Sequence, residues 1–199
     1  MLFCKKEEDW GPMDIQNFIL NKDATCLLII DIQERLFNSM EYDIRKNVVK
    51  NVGILIETAH SYDIPIVLTE QYSKGLGPTI PDVKSKIPDI DPFDKTHFDC
   101  MKDDTIANKI VTLGKHTAIV CGIETHICVL STALSLLGRG INVIIASDAA
   151  CSRRKHEWKM AILALRNAGA IVYPTETISF MLIEKYGTEG FKKLAPLFK

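Results

Sequence analysis

At 199 residues and 47% hydrophobic content, the chain can bury a substantial core, and its length suits one domain better than two. Its 24 lysines and arginines against 25 acidic residues leave a net charge of -1. That excludes a global field for nucleic acid or anionic membrane and points to a small-molecule partner. The longest apolar runs are strand-sized, far short of the roughly 20 residues a membrane span needs, so no membrane association is expected.

The opening M-L-F-C-K-K-E-E-D-W has no apolar core and mixes acidic with basic residues, which argues against a signal or transit peptide and for a cytoplasmic protein. Six cysteines are scattered without a C-x-x-C pair, so neither a disulfide framework nor a zinc site is expected and reduced thiols are the default. Residues 1–23 read as a polar extension whose apolar patch at Ile15, Phe18, Ile19 and Leu20 suits a short docked helix; residues 24–199 read as the domain proper.

Residues 25–32 (T-C-L-L-I-I-D-I) form a continuous apolar run, the pattern of a parallel strand covered on both faces, with Asp31 near its end. Helical spacing of apolar residues predicts a crossover helix over 42–62. A second strand at 65–69 runs into E-Q-Y-S-K-G-L-G-P-T, and since loops after parallel strands build α/β pockets, Glu70, Gln71 and Tyr72 are candidate substrate-pocket residues. Each serves equally well as a loop residue packed for its own sake. Residues 81–92 allow one helical turn, 95–100 a short third strand, and 103–114 a helix capped by Asp103, Asp104 and Thr105.

Residues 117–121 predict the fourth strand, Gly122 opens a turn, and a helix follows that carries Val129, Leu130, Ala133, Leu134, Leu136 and Leu137. A fifth strand at 141–146, a helix at 155–168, a sixth strand at 170–173, a helix at 176–186 and a tail at 191–198 complete the chain. Strands alternating with helices imply an α/β fold: a three-layer, doubly wound, mostly parallel six-stranded sheet of order 3-2-1-4-5-6 with helices on both faces. In that order the switch point between strands 1 and 4 brings Asp31 next to the 122–128 turn.

Cys128, placed at the start of a helix, meets free backbone N–H groups and the positive end of the helix dipole, which favour a nucleophilic thiolate. Asp31 could take and return its proton, and Lys95 could bring a cation. Among the other cysteines, Cys26 and Cys121 read as core residues, Cys4 as part of a tail, Cys151 as a loop residue after strand 5, and Cys100 is left open by its closeness to Lys95. His97 and His116 lack a partner at metal-ligand spacing, and Arg153 and Arg154 read as a solvated pair at a helix start.

Asp31 in I-I-D-I-Q, Lys95 in D-K-T-H-F and Cys128 in G-I-E-T-H-I-C-V resemble the isochorismatase-like cysteine hydrolases, whose triad runs Asp, Lys, Cys in that order. Through T-E-Q-Y-S-K-G-L-G-P-T and the terminal F-K-K-L the resemblance is closest to the isochorismatase domain-containing subgroup. It implies a covalent thioester-type intermediate on Cys128, with Asp31 as general base and acid and Lys95 stabilising the thiolate. It also implies a cis peptide at Ile123–Glu124 that aims the backbone N–H groups of Glu124 and Cys128 at an oxyanion. His126, two residues before Cys128, is a candidate to touch substrate, or else a turn histidine with a structural hydrogen bond.

Nicotinamidases of the family carry a metal-binding Asp and two His after the second strand; E-Q-Y-S-K-G-L-G-P has no histidine, so neither a metal nor a nucleotide cofactor is expected. The expected activity is hydrolysis of a small amide or related C–N substrate by a homo-oligomer that binds no nucleic acid. A redox-active thiol protein, or a binding or assembly module that kept the pocket, are the alternatives.

Overall fold

A segment such as T-C-L-L-I-I offers no polar face, so it can only lie inside a sheet covered on both sides. In the computed structural model, which describes residues 15–199, β1 (Thr25–Ile30) does so with all six residues buried. It pairs in parallel with β2 (Ile66–Gln71) on one side and β4 (Thr117–Ile123) on the other. β3 (Phe93–Lys95) adds outside β2, while β5 (Asn142–Cys151) and β6 (Ile171–Tyr173) follow β4. The order β3-β2-β1-β4-β5-β6 is the one expected from the strand–helix alternation.

The helices are α1 (Glu34–Asn38), α2 (Tyr42–Ser61), α3 (Ser73–Leu76), α4 (Pro81–Lys84), α5 (Asp104–Thr112), α6 (Leu130–Gly138), α7 (Lys155–Asn167), α8 (Thr175–Ile183) and α9 (Glu189–Leu194). Because side chains alternate along a strand, β1 feeds both layers. Leu27 and Ile29 pack with Val52, Leu55 and Ile56 of α2 and Ile178 of α8; Cys26, Leu28 and Ile30 pack with Ile106 of α5, Ala133 of α6 and Leu165 of α7.

Several boundaries differ from the sequence reading, each for a local reason. The third strand lies at Phe93–Lys95, not 95–100, because the Asp99 carboxylate accepts the Met101 N–H and turns the chain into a 3-10 helix at Cys100–Lys102. Lys95 is therefore the last residue of β3, on the same rim as Asp31. β5 runs past Ala146 to Cys151, since an irregularity between Val120 and Gly122 lets Ala150 and Cys151 pair with Gly122 and Ile123. Cys151 is thus buried in a strand instead of lying in a loop.

α8 begins at Thr175, whose N–H and hydroxyl both donate to Asp148 Oδ1, and it stops where Glu184 adopts a φ of 58°. The expected tail at 191–198 is α9 plus a 3-10 turn, with Thr188 capping α9. In the N-terminal patch, Ile15–Phe18 form a 3-10 turn that leaves Ile15 and Ile19 exposed while Leu20 enters the core. Cys4 lies outside the described residues. No helix among those described is long and apolar enough to cross a membrane.

β1 and β4 approach most closely where Ile30 faces Gly122. Gly122 has a φ of 121°, and a Cβ there would run into the Ile30 backbone. Only glycine fits. This pinch lies directly beneath Asp31.

Candidate active site

Asp31 leaves β1 with a φ of 51°, an uncommon conformation for a residue with a side chain and one that tends to mark functional positions. Its carboxylate is fully buried. Oδ1 accepts from Thr69 Oγ1 at 2.8 Å and Oδ2 from Lys95 Nζ at 2.7 Å. Lys95 arrives because β3 pairs with β2 in a register that sets it beside Gln71. Its ammonium also donates to Gln71 Oε1 at 2.7 Å and to the His97 carbonyl at 3.2 Å.

Cys128 comes from the other side of the switch point. The Ile123–Glu124 peptide at the end of β4 is cis. A π-helical turn, Thr125–Val129, then leads without a break into α6. Such wide turns recur at functional sites. Cys128 is only 5% exposed. Burial pushes its thiol well above the ordinary thiol range, the Asp31 carboxylate adds to this, and the Lys95 ammonium opposes it. Burial thus opposes the thiolate that the nearby helix N-terminus favours, and the Lys95 ammonium is the charge that works against burial.

Burial pulls Lys95 down, but the Asp31 carboxylate, with Cys100 and Cys128 adding when ionised, more than reverses this and leaves it above the ordinary lysine value. Cys100 belongs to the same cluster: its N–H donates to Thr132 Oγ1 at 3.0 Å, and burial pushes its thiol up to about 11 against the pull of Lys95. Cys26 and Cys121 sit in the core as expected.

The other sequence candidates take distinct places. Glu70 is buried, and its Oε1 accepts both the N–H and the hydroxyl of Thr79, which ties down the loop after β2. Gln71 faces Lys95. Tyr72 is 55% exposed, with a φ of 40°. His126 Nδ1 pairs with Ser152 Oγ at 2.9 Å, so it anchors its turn to the segment after β5. Glu124 makes a second anchor: its carboxylate accepts the Arg153 N–H at 3.0 Å and lies 3.5 Å from the Arg153 guanidinium.

Gln33 and Thr69 escaped the sequence reading. Gln33 is fully buried and bonds both backbone groups of Gln71. The available signal was a polar residue at the end of an apolar run, the same feature that marked Asp31. Thr96, His97, Phe98, Lys102 and Ser131 border a cleft of about 300 Å³ between the segment after β3 and the helix that carries Cys128. Among the described residues, no group of three or more His, Cys, Asp or Glu side chains could hold a metal ion.

A doubly wound parallel sheet of this order, with its polar cluster at the β1/β4 switch point, defines an α/β protein of the isochorismatase-like fold. The chain belongs to the isochorismatase domain family, whose profile matches residues 25–177. It is 34% identical over 179 residues to isochorismatase domain-containing protein 2 of Danio rerio, covering 89% of this chain and 88% of that protein. The structure of MAR1 ribonuclease from Caenorhabditis elegans superposes with a TM-score of 0.83 at 32% identity, covering 90% and 91% of the two chains. The YcaC gene product of Escherichia coli, described as an octameric hydrolase of unknown specificity, shares the fold at a TM-score of 0.83 and 24% identity, covering 90% and 89%. Family membership supports a hydrolase.

Proposed function

We propose that the chain is a cysteine-dependent hydrolase of a small amide or related C–N substrate, working through a covalent intermediate on Cys128 without metal or nucleotide. The observation that carries this reading is the buried Lys95–Asp31 ion pair acting on a buried thiol at the switch point, since strongly perturbed groups gathered in this way mark reaction sites. Asp31 is the general base. As Cys128 Sγ bonds to the carbonyl carbon, the thiol proton passes to Asp31 and the carbonyl π electrons move to oxygen, where the backbone N–H groups of Glu124 and Cys128 receive them. Collapse breaks the C–N bond, Asp31 returns its proton to the leaving nitrogen, and a thioester remains. Water then adds to the thioester carbon and passes a proton to Asp31; collapse releases the acid and restores the thiol.

Lys95 is the fixed cation of this scheme: it balances Asp31 and favours negative charge on sulfur. Substrate is proposed to approach Cys128 by way of the cleft bordered by His97, Phe98 and Ser131, and Tyr72 and His126, outside that cleft's lining, are proposed to touch it. Five described cysteines, none of them paired, suit a reducing cytoplasm. A homo-oligomer is proposed by analogy with the octameric neighbour.

The name of the Caenorhabditis elegans neighbour offers a second reading, RNA cleavage. The net charge of -1 gives little of the phosphate attraction on which RNA binding rests. One experiment separates the two: release of ammonia or amine from an amide panel, run beside cleavage of end-labelled RNA. Amide turnover lost in Cys128→Ala with RNA left intact supports the hydrolase. RNA cleavage that survives Cys128→Ala, or amide turnover that does, overturns it.

A further inference from the structure

A lysine ammonium has three N–H donors and no acceptor. In Lys95 all three are engaged by the protein: Asp31 Oδ2 at 2.7 Å, Gln71 Oε1 at 2.7 Å and the His97 carbonyl at 3.2 Å. None is left for substrate. Whatever Lys95 contributes, it contributes through its position relative to Asp31 and Cys128, and the group that fixes that position besides Asp31 is the Gln71 side chain.

Gln71 is itself held in one orientation. Its Nε2 donates to the Thr96 carbonyl at 2.9 Å. Turning the amide over would set NH2 against an ammonium and oxygen against a carbonyl, two repulsive contacts in place of two hydrogen bonds. Its backbone is gripped by the fully buried Gln33, whose Oε1 accepts the Gln71 N–H at 2.7 Å and whose Nε2 donates to the Gln71 carbonyl at 3.1 Å and the Gly77 carbonyl at 2.7 Å. The segments after β1 and β3 thus meet on one residue, Gln71, at the end of β2.

We propose that Gln71 is a positioning residue, held by Gln33, that pins the Lys95 ammonium against Asp31 and so sets how strongly Lys95 favours negative charge on the Cys128 sulfur. This rests on Cys128 being the nucleophile. It predicts that Gln71 acts only through Lys95 and that removing its oxygen raises the cost of ionising the thiol without disturbing the fold.

The test uses iodoacetamide, with Cys128 alkylation followed by peptide mass from pH 6 to 10 in wild type, Gln71→Leu, Lys95→Met and the double variant. Gln71→Met, closer in length, stands in should Gln71→Leu fold poorly. The expected result is about tenfold slower Cys128 alkylation in Gln71→Leu, the equivalent of one hydrogen bond to a charged group, with the alkaline rise moved to higher pH. In the Lys95→Met background the same substitution has no further effect. A Gln71→Leu or Gln71→Met rate and pH profile matching wild type, or an equal slowing with and without Lys95, overturns the proposal while leaving the nucleophile intact. A wild-type protein alkylated elsewhere but never at Cys128 overturns both.

Discussion

Removing the Lys95 cation tests how the site is held together. In Lys95→Met the Asp31 carboxylate, fully buried, keeps the Thr69 hydroxyl and the Cys128 thiol beside it but no cation. Stranding one charge of a buried pair costs about 3 to 5 kcal/mol, which for a domain of this size lowers the melting temperature by about 6 to 20 °C. The penalty depends on pH in a definite direction. Burial without a partner penalises the charged form of a carboxylate, so the variant loses most stability at the higher pH, where carboxylates are ionised. Urea denaturation at pH 5 and pH 8 should therefore show the larger loss at pH 8. Adding Asp31→Asn, which removes the stranded charge, should recover part of it. A Lys95→Met protein within about 1 kcal/mol of wild type at pH 8, or equally destabilised at both pH values, would refute the claim that these two charges are desolvated and mutually dependent.

Gly122→Ala combines a left-handed φ with a collision against Ile30 and should cost more than about 4 kcal/mol or abolish soluble expression; Gly138→Ala, with open space around it and no positive φ, should change stability by less than about 1 kcal/mol. Thermal melts of the two variants compare them directly. Alkali should also destabilise the protein. Burial raises Cys26 from 9.0 to about 11, so the native form retains protons that the unfolded chain loses: its contribution is whole below about pH 9 and disappears as pH rises through 11, about 2 to 3 kcal/mol from this thiol alone. Urea titrations between pH 8 and 11 check the slope, and a flat profile would contradict the burial of the thiols.

The sheet order was legible because an all-apolar run such as T-C-L-L-I-I has one place to go, and because right-handed crossovers leave few layouts once strands and helices alternate. Asp31 and Cys128 could be read for a related reason: Asp31 follows the end of apolar β1, and Cys128 lies in the turn that leads from apolar β4 into a helix, on the two sides of the switch point. Lys95 was readable as a residue type but not as a strand end, since the extent of β3 depends on the Asp99 turn and on pairing with β2, neither of which has a periodic signature. The role of Gln71 was hidden more deeply. It depends on which way an amide faces, which is decided by the Thr96 carbonyl and the Lys95 ammonium, and on a backbone held by Gln33 from another loop. The opposition of burial to the Cys128 thiolate was not legible, because the helix terminus is a local feature whereas loss of water is a property of the whole packed cluster.

The most direct test of the central claim is intact-mass and peptide mass spectrometry after incubation with a panel of small amides and acrylamide. A Cys4→Ser background removes the one cysteine outside the described residues. The account predicts a single adduct on Cys128, slowed in Asp31→Asn and absent in Cys128→Ser. Modification of Cys100 or Cys151 with Cys128 left untouched would contradict it.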